Sequence, residues 1–299
     1  MYLCSELDLT LGMKIFSLIA DRWKMDGGVA FGVVPKSLWQ KHWTADQNNM
    51  LDIVTRCLLI ETADRKILID AGMGRKRDSK YYQYRYVQTD WTIINALKEI
   101  NIEPEAITDI IFTHLHDDHV GGATKLDENG EITELFPAAN YWCSESQWNW
   151  AINPNKREAA SYFTDNLLPL HNSGKLQFLK EDSTEFEAIT FKLVNGHTMG
   201  QLIPLIDFKG RKIVFTADFI PSASHIPIPY IASVDIQPLL AMKEKADFLS
   251  EAVLNSYILV FQHDINECCT VKNSEKGVVL DEIFTVKEII QQQCQTILT

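Results

Sequence analysis

The chain is constrained most by one short run, Thr113-His114-Leu115-His116-Asp117-Asp118-His119-Val120-Gly121-Gly122, which packs three imidazoles and two carboxylates into the six positions from His114 to His119. It follows the apolar, β-type segment Ile107-Thr108-Asp109-Ile110-Ile111-Phe112, so it is expected on the loop leaving a strand. In an extended segment His114 and His116 leave the same side, while Asp118 and His119 fall past the turn, where they can serve a second ion. Imidazole with carboxylate suits zinc, iron or manganese. A polar surface loop rarely carries this order with two glycines behind it, so the run reads as a metal site.

Three later stretches carry matching chemistry, each at the end of an apolar run: Val194-Asn195-Gly196-His197, Val214-Phe215-Thr216-Ala217-Asp218 and Ile258-Leu259-Val260-Phe261-Gln262-His263. A lone strand-end histidine is usually a hydrogen-bonded structural residue. Three such ends after the first motif supply enough ligands for two coordination spheres. Ile67-Leu68-Ile69-Asp70-Ala71-Gly72 also ends in a carboxylate, expected to orient a ligating histidine through its free N–H; capping a turn is the alternative.

The rest of the chain reads as alternating strands and helices. Strands are expected from Met13 or Lys14, at Val29–Val34 after an Asp26-Gly27-Gly28 turn, at 52–61 and 66–69, at 140–143, and at 176–179, 189–193, 203–207, 212–216 and 257–262. Helices are expected over 89–100 with Thr89 or Asp90 as cap, over 144–152 capped by Ser144, within 153–172, and over 237–255. Without an internal linker, residues 13–299 read as a single domain and residues 1–12 as an N-terminal extension without ordered structure. Two αβ halves packed sheet to sheet fit this order better than one doubly wound sheet.

Composition narrows the function. With 46% hydrophobic and 23% charged residues the 299-residue chain is of ordinary globular type. A net charge of -12 and no basic run argue against nucleic acid as a partner. No apolar stretch is long enough for a membrane span, and the first residues lack the features of a signal peptide. The six cysteines, Cys4, Cys57, Cys143, Cys268, Cys269 and Cys294, have no C-x-x-C spacing and read as reduced thiols of a cytoplasmic protein. Trp39 and Trp43, in the expected 35–43 loop, fit core packing as well as they fit packing on a partner subunit or roofing a pocket, which leaves a homodimer open.

Taken together, the histidine and aspartate motifs resemble those of the metallo-β-lactamase superfamily from about Lys14 to about Thr285. The resemblance implies an α/β fold, a four-layer αβ/βα sandwich of two mixed sheets flanked by helices. It implies that His114, His116 and His197 hold one metal, that Asp118, His119 and His263 hold another, and that Asp218 bridges them. The cofactors would be two divalent ions, zinc first, with manganese or iron as alternatives.

Within the superfamily the chain is most similar to the N-acyl-homoserine-lactone lactonases and the methyl-parathion-hydrolase-like esterases. The similarity lies in Asp26-Gly27-Gly28 through Phe31-Gly32-Val33-Val34-Pro35-Lys36 to Trp39, in Leu58–Glu61 and Ile67–Gly72, in Ala217-Asp218-Phe219-Ile220-Pro221 leading to His225, and in Ser233-Val234-Asp235 before Pro238. This implies a metal-bridging hydroxide that opens a lactone or ester with an apolar acyl group, an N-acyl-homoserine lactone first. Asp118 would pass a proton to the leaving alkoxide. An arylesterase or phosphotriesterase is the alternative, and a non-hydrolytic di-iron redox protein a further one. Many homoserine-lactone lactonases carry a tyrosine three residues after the bridging aspartate; here that residue is Pro221, so either Tyr230 or His225 stands in as hydrogen-bond donor or the role is absent. Met25, Phe31, Trp39, Phe219 and Tyr230 are expected to line an acyl pocket.

Overall fold

A computed structural model describes residues 12–88, 90–179 and 185–289. Two mixed sheets face each other. The first has six strands in the order Lys14–Asp26, Met50–Glu61, Lys66–Ile69, Asp109–Ile111, Asn140–Ser144 and Leu176–Leu179. The second has seven, in the order Gly277–Phe284, Cys268–Ser274, Ile258–Val260, Arg211–Phe215, Gln201–Phe208, Ile189–Val194 and Glu185–Phe186.

Both faces of the central strands are buried, which is why they read as continuous apolar runs. One parity points between the sheets: Leu58, Ile60, Ile67, Ile69 and Ile111 meet Leu202, Ile206, Ile213, Phe215, Ile258 and Val260. The other parity points outward. Cys57, Leu59, Leu68, Ile110 and Tyr141 pack under helices that contribute Ala96, Leu97, Trp148 and Leu170. Across the molecule, Ile203, Leu205, Val214 and Leu259 pack under Phe248, Leu249 and Ala252 of helix Pro238–Leu254. The result is the expected four-layer sandwich.

Several local expectations are corrected. Val29–Val34 is not a strand: Gly27–Phe31 is a short helix, because the Asp26 carboxylate caps it, Oδ1 accepting from Gly28 N at 2.7 Å and Val29 N at 3.2 Å. Trp39 is buried and stacks on Phe31 with ring centroids 5.1 Å apart, so it belongs to the core and lends a homodimer no support. The helix expected over 89–100 is Ile93–Glu99, capped by Thr92 in a capping box with Asn95; Thr89 lies outside the described residues, as do Cys4, Cys294 and residues 1–11 of the expected extension. Ser144 does cap its helix, accepting from Gln147 N at 3.0 Å. The strands Cys268–Ser274 and Gly277–Phe284 were not expected. Among the described residues no helix is long and apolar enough to cross a membrane, and Cys57, Cys143, Cys268 and Cys269 are buried and free.

Candidate metal centre

The site lies where strands of both sheets end. Lys66–Ile69 and Asp109–Ile111 run parallel, as do Arg211–Phe215 and Ile258–Val260, so the segments holding Asp70, the His114–His119 loop, Asp218 and His263 leave at common edges. Ile189–Val194, whose end carries His197, runs with Arg211–Phe215 because both pair antiparallel with Gln201–Phe208. Leu202 N donates to Thr113 O at 2.8 Å, joining the two edges at the motif. The glycines behind the motif serve close approach: a Cβ on Gly122 would lie 2.0 Å from Ala71 O, and one on Gly121 2.3 Å from Met73 O.

Ligand-type atoms of His114, His116, His197 and Asp218 converge within 4.8 Å of one another, and those of Asp118, His119 and His263 do the same. His116 Nδ1 is 3.0 Å from His114 Nε2 and 3.2 Å from His197 Nε2. Asp218 faces both groups. Its Oδ2 lies 3.3 Å from His197 Nε2 and 3.9 Å from His114 Nε2, and its Oδ1 lies 2.9 Å from His263 Nε2 and 3.4 Å from His119 Nε2. Asp118 stands 3.5 Å from His263 Nε2 and 3.7 Å from His119 Nε2.

The outer nitrogens fix the tautomers. His119 Nδ1 donates to Asp70 Oδ2 at 2.9 Å and His197 Nδ1 to Asp235 Oδ1 at 2.7 Å. His263 Nδ1 donates to Val54 O at 2.8 Å, and His114 Nδ1 is 3.1 Å from Thr113 Oγ1, which itself donates to Asp70 Oδ2. Each of these rings therefore turns an Nε2 lone pair inward. Within the cluster, Nε2 of His116, His119 and His263 and Oδ1 of Asp218 are buried without a hydrogen-bond partner. These buried atoms need positive charge among them, a proton or a cation: burial opposes it, but Asp118 and Asp218 outweigh burial and raise His119 and His263 above the ordinary histidine range, and the donor set fits a metal ion.

Burial, and then the neighbouring imidazoles, hold His114 well below the ordinary histidine range, and burial also lowers His116. Burial opposes ionisation of Asp218, but His263, His119 and His197 outweigh it and hold its carboxyl well below the usual range.

Asp235 and Glu158 were missed as orienting groups. Asp235 sits 38 residues from His197, and only the family-like Ser233-Val234-Asp235 run marked it. Glu158 lies in the stretch 153–172, which carries no motif. Burial raises its carboxyl, but His116, Thr198 and Trp150 outweigh that and hold it at about 2.

A cleft of about 360 Å³ opens on His116, Asp118, His197 and Asp218, its lining including the apolar Met25, Val29, Met50 and Val234 and the cationic Arg85 and Arg157. A narrower recess of about 30 Å³ runs past Met25, Trp43, Ile53, Pro221 and His225. His225 is buried, and both its ring nitrogens are engaged: Nε2 donates to Ala30 O at 2.8 Å, and Ser222 Oγ is 2.6 Å from Nδ1. Tyr230 packs edge-on against Phe31, with centroids 6.1 Å apart, and lies outside the lining of both spaces. Phe31 and Phe219 are buried in core clusters and do not line the cleft.

A four-layer sandwich with a buried His/Asp cluster at its strand ends defines a class, the metal-binding proteins that carry their site on the loops between two sheets. The family model described as the Metallo-beta-lactamase superfamily matches residues 52–263, and the chain belongs to that superfamily. An N-acyl homoserine lactonase from a Bacillus species is 33% identical over 241 residues, covering 75% of this chain and 86% of the relative. The N-acyl homoserine lactonase of Bacillus cereus is 29% identical over 240 residues, with the same coverage of 75% and 86%. A probable metal-dependent hydrolase from Staphylococcus aureus superposes with a TM-score of 0.82 at 30% identity, over 91% of this chain and 96% of that one. AidC, a dizinc quorum-quenching lactonase solved with its product, superposes with a TM-score of 0.75 over 91% and 95%, and at 22% identity it is a likeness of fold. The chain is a metal-dependent hydrolase acting on ester bonds.

Proposed function

We propose that this protein is a dinuclear lactonase that opens N-acyl-homoserine lactones. The observation that carries the reading is the Asp218 carboxylate, whose two oxygens face two separate groups of imidazoles and which lines a cleft that apolar side chains share. The curated relatives named as N-acyl homoserine lactonases support the substrate class.

In this reading His114, His116 and His197 hold one ion, Asp118, His119 and His263 hold the other, and Asp218 serves both. Two bound divalent ions, zinc first and manganese or iron as alternatives, supply Lewis acidity that makes water nucleophilic near neutral pH and polarises the ester carbonyl.

The chain's own residues do the rest. Asp118, whose side chain is 14% exposed and lines the cleft, takes the proton that the attacking water loses and gives it to the alkoxide as the ring C–O bond breaks, leaving the open-chain hydroxy acid. Met25, Val29, Met50 and Val234 orient the acyl chain along the cleft; the recess beside His225 has room for little more than a water-sized group. With both nitrogens of His225 engaged and Tyr230 outside the lining, we assign neither a proton to give the substrate. The four free, buried cysteines support a reducing, cytoplasmic setting.

The second reading, an arylesterase or phosphotriesterase, is favoured by Pro221, which brings no hydroxyl to the recess wall. The deciding experiment is pH-stat hydrolysis of a long-chain homoserine lactone by zinc-, manganese- and iron-loaded protein. Proton release on the lactone supports the lactonase; an inert lactone with cleavage of an aryl ester or phosphotriester replaces it with the second reading.

A further inference from the structure

Four of the five clustered imidazoles have their outer nitrogen fixed from a strand or a strand end or the loop beyond one: His114 by Thr113, His119 by Asp70, His197 by Asp235 and His263 by Val54 O. The fifth, His116, points its ring the other way. Its Nδ1 faces His114 and His197, and its Nε2, buried and without a hydrogen bond, has Oε1 of Glu158 facing it at 3.5 Å. Glu158 comes from the loop between helices Glu145–Ala151 and Thr164–Asn172, which also brings Tyr162 against the His116 ring with centroids 4.8 Å apart.

The surroundings of Glu158 are built to hold a carboxylate. The residue is 3% exposed. Its Oε2 accepts from Asn155 Nδ2 at 2.6 Å and Trp150 Nε1 at 2.7 Å, and its Oε1 accepts from Thr198 Oγ1 at 2.7 Å. Tyr162 OH, 2.8 Å from Thr198 Oγ1, completes the network. Among the described residues, its one ion-pair partner is His116. A buried carboxylate without a lysine or arginine needs a reason to be there, and the imidazole in front of it provides one.

We propose that Glu158 is a positioning residue of the metal centre: it fixes His116 in the Nε2–H tautomer, so that Nδ1 joins the Nε2 atoms of His114 and His197, and through Thr198 it ties that ring to the loop carrying His197. The inference rests on the reading that these residues hold metal. Gln147 reinforces the same tie, its Oε1 accepting from Leu115 N at 3.1 Å and its Nε2 donating to Met199 O at 2.7 Å. The consequence is selective. Glu158 touches one ring of one group and none of Asp118, His119 or His263, so its loss should weaken one metal and spare the other.

The test uses the full chain, stripped of metal and titrated with zinc against a chromophoric chelator, alongside the visible spectrum of cobalt-loaded protein. Wild type, Glu158→Gln and Trp150→Phe are compared. Glu158→Gln is expected to weaken one of two zinc ions about tenfold or more and to alter the cobalt bands of one site. Trp150→Phe, which removes a donor from the far oxygen, is expected to shift the same ion in the same direction by less. Two unchanged zinc affinities in folded Glu158→Gln overturn the proposal, as does equal weakening of both ions. If Glu158→Gln does not fold, Trp150→Phe decides, and an unchanged affinity there overturns it. A wild-type chain that takes up no zinc, manganese or iron defeats the metal reading itself, a result separate from any difference between the variants.

Discussion

Asp70 ends strand Lys66–Ile69 in a left-handed conformation, φ 59°, and its Oδ2 receives the Nδ1 proton of His119 across 2.9 Å. The same carboxylate accepts from Thr113 N and Thr113 Oγ1, both at 2.8 Å, so one buried side chain receives three donors from the motif loop. An acid in this position acts as acceptor at both oxygens.

Asp70→Asn therefore puts an amide N–H₂ against a donor whichever way it is turned. The expected result is a loss of metal affinity of about 10- to 100-fold and a stability loss of about 1–3 kcal/mol. Zinc titration against a chelator and urea unfolding of the metal-free protein measure the two effects separately.

Asp118→Asn should keep the fold, because the side chain lies on the cleft and not in the core. Its hydrolytic rate is expected to fall by about 100-fold or more. A variant that keeps near-wild-type kcat with metal bound would remove Asp118 from the proton path.

His225 gives a pH signature. Burial pushes its pKa down to about 4, from an ordinary value of 6.5. A histidine with a depressed folded pKa binds its proton more readily when unfolded, so its contribution to stability is full above about 6.5 and is lost as pH falls towards 4. The contribution amounts to at most about 3 kcal/mol. Replacing it with glutamine, which can donate to Ala30 O and accept from Ser222 without titrating, should flatten the fall in unfolding free energy between pH 6.5 and 4. Equal slopes for the two proteins would count against this.

Lys245 is 1% exposed and donates to three carbonyls, His225 O at 2.9 Å, Pro227 O at 3.1 Å and Tyr230 O at 2.7 Å. It pins the segment leading to Ala232, Val234 and Asp235 onto helix Pro238–Leu254. Lys245→Met takes this donor from His225 O and Tyr230 O, while Pro227 O keeps Tyr230 N at 2.9 Å, and is expected to cost about 1–3 kcal/mol. It should also raise KM for long acyl chains more than it lowers kcat, because Val234 flanks the cleft. Steady-state kinetics over a series of acyl lengths reads the split.

The sequence by itself determined the layers and the gathering of the seven chemically distinctive side chains. Apolar strands buried on both faces leave a continuous run in the chain, and a residue at the end of such a run must sit at a sheet edge, so His114, His116, Asp118, His119, His197, Asp218 and His263 were legible as strand-end groups. Tertiary structure alone decided what stands behind them. Asp235 reaches His197 across 38 residues and Thr198 reaches Glu158 across 40, distances over which no periodicity carries information. It also decided the small reversals: Asp26 capped a helix where β-branched Val29, Val33 and Val34 suggested a strand, and His225 spent both nitrogens on Ala30 and Ser222. Local pattern records which face a residue must bury; which polar partner it then meets depends on how the two sheets and their loops close over one another.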